Sequence, residues 1–98
     1  MMQKPTAPRG ISFEEHLEGQ YTEFVEVYVI RKPELIRAAT VYKHATITQG
    51  QWEAADINLA PLKTQTPEMA LRFITALKAA VKWARWLDER HPTGTVAK

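Results

Sequence analysis

"PELIRAATVYKHATIT", residues 33–48, is the stretch whose reading decides the fold. With Pro33 at a first helical position and Leu35, Ala38, Ala39 and Tyr42 behind it, the segment could start a helix. Ile36, Thr40, Val41, Tyr42, Thr46 and Ile47 favour a strand instead, because β-branched and aromatic side chains suit a pleated, half-buried surface. The neighbouring sequence tips the balance. "TQGQ", 48–51, is a glycine-containing turn signal between "TVYKHATI" and "WEAADINL", the pattern of two strands joined by a short loop. In the second of these, Ala55, Ile57 and Leu59 alternate with Asp56 and Asn58, so one face is buried and the other wet.

Upstream, "YTEFVEVYVIRK", 21–32, is the clearest strand. Val25, Val27 and Val29 fall on one face, and Phe24, Glu26, Tyr28 and Ile30 on the other. That second face is unusually apolar for solvent. Lys32 and Pro33 interrupt the run, since proline brings no N–H to a ladder. Further upstream, "ISFEEHLEG", 11–19, carries capping-box spacing at Ser12 and Glu15 and a stop at Gly19, which predicts a short helical turn with Phe13 and Leu17 as its apolar contacts. An extended segment is the alternative.

Downstream, Thr66 is an N-cap candidate, followed by Pro67 at the first helical position and Glu68 in the first turn. No Gly or Pro intervenes before Pro92, so one long helix is predicted from Pro67 to His91. Ala70, Phe73, Ile74, Leu77, Ala80, Val81, Ala84 and Leu87 gather into one apolar stripe, expected to press on the sheet. The expected fold class is therefore α+β: an antiparallel β-meander of about three strands packed against one long C-terminal helix, with a possible short N-terminal helical turn. Residues 11–91 form the single domain, between tails at 1–10 and 92–98 that read as flexible because they are rich in Pro and Gly and poor in apolar residues.

The 98-residue chain has room for one core, and its 45% hydrophobic and 24% charged content is that of a globular domain. With no cysteine, it has neither a disulfide framework nor thiolate chemistry. No apolar run resembles a signal peptide or a membrane span, and a reducing, cytoplasmic location is the default expectation. The formal charge of +2 is unevenly spread. Glu14, Glu15, Glu18, Glu23 and Glu26 make the first third acidic. Lys63, Arg72, Lys78, Lys82, Arg85, Arg90 and Lys98 make the last third basic.

Little in the chain suggests catalysis. His16, His44 and His91 share no i, i+4 pairing, and in a helical turn His16 would point about 160° away from Glu14 and Glu18, so no metal site and no cofactor are expected. There is no serine elbow, no phosphate-cradling glycine loop and no paired carboxylates in a cleft. The expectation is a non-enzyme.

The informative feature is "KWARW", 82–86. On the helix, Trp83 borders the apolar stripe beside Met69, Ala76 and Ala79, whereas Trp86 lies nearly opposite it, between Lys82 and Arg90. Three readings compete. Trp83 is covered within the chain by Phe13 and Leu17, with Lys82 and Arg85 contributing aliphatic stems; or Trp86, Trp83, Met69 and Ala79, with Arg72 or Arg90, pack against a second copy. In the third, Lys78, Lys82, Arg85 and Arg90 bind phosphates while Trp86, or the Tyr28 and Tyr42 side of the sheet, stacks on bases. The main expectation is a small non-enzymatic protein-interaction module that forms a homodimer, using Trp86, Trp83, Met69 and Arg72 on the helix and Phe24 and Tyr28 on the sheet. Single-stranded nucleic-acid binding is the alternative. The order of strands followed by one C-terminal helix is similar in outline to PUR-repeat and Whirly-type modules, which bind single-stranded nucleic acid on a sheet and often dimerise. The similarity is of element order only, with one strand fewer here, and carries over no binding residue.

Overall fold

The computed structural model describes residues 2–97. Four strands, β1 (Ile11–His16), β2 (Thr22–Arg31), β3 (Glu34–His44) and β4 (Asp56–Leu59), precede one helix, α1 (Pro67–Arg90). The strands form a single antiparallel sheet in the order β1-β2-β3-β4, a plain meander, and α1 packs across one face. The α+β class is as expected, with four strands rather than about three.

The additional strand is β1, which replaces the predicted helical turn. Its six residues pair along β2 from Ile11↔Val29 to His16↔Phe24. Capping-box spacing at Ser12 and Glu15 is a local signal. It is outweighed here by a ladder of backbone hydrogen bonds and by burial of Ile11 and Phe13 on the sheet, neither of which a single helical turn would provide. The ambiguous segment at 33–45 is strand β3, joined to β2 by a tight turn at Lys32 and Pro33. The 48–51 turn is also present: Gly50 adopts φ +63° and donates its N–H to the Thr46 carbonyl. Between the Ala45↔Trp52 bridge and the Tyr42↔Asp56 pair, three steps on β3 face four on the other strand. The ladder is interrupted there, and the Ala55 N–H turns instead to the Asp88 carboxylate at 2.8 Å.

The helix begins as its sequence specifies, with Thr66 Oγ1 accepting from the Met69 N–H at 3.3 Å and Pro67 in the first turn. Its buried line is Phe73, Ala76, Ala79, Ala80, Trp83 and Leu87. This is rotated by roughly 80° from the predicted stripe, at 100° per residue. The rotation places Trp83 at the centre of the core against Val25, Val27, Val29, Ala39 and Val41. A tryptophan removes more apolar area from water than Ile74 or Val81, and Ala38, Ala39, Ala76 and Ala80 let helix and sheet approach closely enough to enclose it.

The segments outside 11–91 make specific contacts. The Met2 N–H donates to Glu89 at 2.8 Å, and Lys4 pairs with Glu15 at 2.7 Å, laying the N-terminal segment along the β1 flank of α1. At the other end, Val96 bridges Gln51, and Ala97 joins Trp52 and Ala45 in a second small apolar cluster.

Candidate functional site

The sheet has one face on α1 and one without a second layer among the described elements. Cross-strand register assigns the open face: Ser12, Glu14 and His16 from β1; Phe24, Glu26, Tyr28 and Ile30 from β2; Arg37, Thr40 and Tyr42 from β3; Asp56 and Asn58 from β4. An aromatic row crosses it. His16 stacks on Phe24 at 4.2 Å, Phe24 meets Tyr42 at 5.6 Å, and Tyr42 stacks on His44 at 5.2 Å. Beside this row lies a charged cluster, in which His16 Nε2 is 3.1 Å from Glu14 and 3.9 Å from Glu26, and Arg37 is 3.6 Å from Glu26. Burial, followed by the nearby Glu26 and Glu14 carboxylates, raises the Tyr28 phenol above its usual value of 10.0.

Among the residues expected to touch a partner, Phe24 and Tyr28 stand half-buried on this open face. Trp83 does not reach the surface. It is 0% exposed, edge-on to Phe13 at 5.3 Å, and its indole N–H has no acceptor among the described residues. Trp86 lies edge-on to Trp83 at 5.4 Å under the Arg90 guanidinium, with Met2 and Glu89 beside it, so it is half-covered by its own chain. Met69 packs at the margin of the core. Arg72 donates to the Ile30 carbonyl at 3.4 Å and shares a basic recess with Arg9 and Lys32.

Of the four cations expected to meet nucleic acid, Arg90 is committed within the chain. Its Nε and Nη2 donate to the buried Glu23 carboxylate at 3.0 and 3.3 Å, and His91 Nε2 lies 2.8 Å from the same group. Lys78, Lys82 and Arg85 stay exposed on the outer side of α1. The sheet separates them from the aromatic row that includes Tyr42, so of the rings expected to stack on bases the half-covered Trp86 alone shares their helix. No described helix is long and apolar enough to cross a membrane.

A third surface was missed in sequence. The predicted stripe included Ile74 and Val81 as core, but they are 48% and 39% exposed, and Leu71 is 64% exposed on the same outer side. Ile74 and Val81 line the β4 flank of α1, where Asp88 reaches Lys43 and the Ala55 N–H, whereas Leu71, about five turns before Glu89, points more directly outward. On the sheet side of this flank, Leu59 is also exposed. The clue was already present in the arc of apolar residues, which is wider than a four-stranded sheet ending in a four-residue edge strand can cover.

No family model, curated protein or solved structure matches this chain.

Proposed function

We propose that the protein is a non-enzymatic interaction module that works as a homodimer, paired through the β4 flank of α1. The observation that carries this reading is the exposure of Ile74 and Val81 on one flank of a helix whose opposite flank is covered by the N-terminal segment. Ile74 and Val81 are symmetric about the midpoint between Leu77 and Lys78. A two-fold axis there sets Ile74 of one helix against Val81 of its antiparallel copy, with Lys78 and Arg85 at the rim. Returning a half-exposed aliphatic side chain to an apolar interface is worth roughly 1–2 kcal/mol. Two from each helix, joined by Leu59 from each copy, therefore yield a sum of the same order as the ~4–15 kcal/mol lost on association. This balance implies a dimer of modest affinity.

Sedimentation velocity over a wide range of protein concentration tests the proposal. The expected result is a concentration-dependent monomer–dimer equilibrium that Ile74→Glu and Val81→Glu each shift to monomer without changing the circular dichroism spectrum. A chain that stays monomeric at the highest concentration refutes it.

Nucleic-acid binding is supported by the exposed Lys78, Lys82 and Arg85; the remoteness of the aromatic row and the cover of Trp86 by Arg90 and Met2 weigh against it. An oligonucleotide titration at low salt, followed by tryptophan emission, separates the two readings.

A further inference from the structure

We propose that Glu14, His16 and Glu26 form a binding site for a divalent transition-metal ion of the zinc class on the open face of the sheet. The helical turn expected for residues 12–19 would have pointed His16 away from its acidic neighbours. As strand β1, the same residues place Glu14 and His16 two positions apart on one face, and the register sets Glu26 of β2 directly opposite Glu14. One ligand atom from each residue then lies within 4.8 Å of the other two. The imidazole Nε2 is 3.1 Å from Glu14 Oε1 and 3.9 Å from Glu26 Oε1. Ligand atoms around tetrahedral zinc, at bond lengths of about 2.0–2.1 Å, are separated by about 3.3 Å, so side-chain adjustment alone brings the three into range.

The surroundings hold these ligands in place. Stacking on Phe24, with the ring planes 17° apart, fixes the His16 imidazole. Arg37 engages Oε2 of Glu26 at 3.6 Å and leaves Oε1 turned toward His16, an outer contact of the kind that orients a metal-binding carboxylate. Two carboxylates against one guanidinium leave the cluster net negative, which favours a bound cation. An imidazole with two carboxylates suits zinc and its neighbours, and three protein ligands leave coordination positions open to solvent.

Calorimetric titration of the metal-free chain with Zn²⁺ at neutral pH tests the site. One ion per chain is expected. His16→Ala and Glu26→Gln should each lower the affinity at least ~10-fold, with Glu14→Gln as an exposed third variant that leaves the ladder intact. The His16 ring resonances should shift as the ion is added. Absence of saturable binding overturns the proposal, as does binding that survives His16→Ala with unchanged affinity.

Discussion

Glu23 and Lys43 face each other across the β2–β3 ladder, yet each takes its ionic partner from the end of α1: Glu23 from Arg90, with His91 Nε2 at 2.8 Å, and Lys43 from Asp88 at 2.7 Å. A strand acid meets bases at the helix end, and a strand base meets a helix acid. These crossed pairs clamp the last turn of α1 to the sheet.

The Lys43–Asp88 pair is asymmetric, because the Lys43 side chain is 0% exposed and that of Asp88 41%. Asp88→Ala strands a buried ammonium and removes the acceptor of the Ala55 N–H, and should cost about 3–5 kcal/mol. Lys43→Met keeps the apolar stem and leaves Asp88 able to turn to water, so it should cost less than about 1.5 kcal/mol. Urea denaturation of the two variants checks the order, and equal losses would contradict it.

The tryptophans of "KWARW" should separate in the same assay. Trp83→Ala opens a cavity at the centre of the core and should cost about 3–5 kcal/mol. Trp83→Phe should cost clearly less, because it keeps an aromatic ring and removes an unsatisfied N–H that itself costs about 1–3 kcal/mol. Trp86→Ala, half-covered at the surface, should cost about 1 kcal/mol. A larger loss at Trp86 than at Trp83 would mean that the core is not centred where it is described.

Tyr28 provides a pH test. Its folded-state pKa lies above the ordinary 10.0, owing first to burial and then to Glu26 and Glu14, whereas the unfolded phenol ionises near 10.0. As pH rises past 10.0, the unfolded state gives up the proton first, so this contribution to stability is present below that pH and lost as pH rises through the folded pKa. Ultraviolet titration of tyrosinate should show a component above the ordinary value that Tyr28→Phe removes and Glu26→Gln lowers. A titration unchanged in Tyr28→Phe would contradict the assignment.

Residues 93–97 should protect Trp52. Trp52 exchanges backbone hydrogen bonds with Thr95 and Gly94 and packs with Ala97. Truncation after Pro92 should redden Trp52 emission and speed hydrogen exchange at Gly50–Trp52, with little change in the centre of β2. Uniform acceleration across the sheet would show instead that the segment supports the whole fold.

The sequence by itself determined the strand at 22–31, with Val25, Val27 and Val29 on its inner face, and the start of α1 at Thr66 and Pro67. Each is written in a local signal: alternation of period two, or a cap followed by proline. For residues 33–45 it favoured strand over helix, through the turn that follows them, and the pairing of β3 with β2 and β4 settled it. Tertiary structure decided the rest. Nothing within residues 11–16 distinguishes a capped turn from an edge strand; the free edge of β2 does. The apolar arc of α1 admits more than one orientation on the sheet, and the choice that buries Trp83 is made by the size of that ring and the small residues opposite it. That same choice exposes Ile74 and Val81. The pairing of Glu14, His16 and Glu26 depends on the register between β1 and β2, which no local pattern carries.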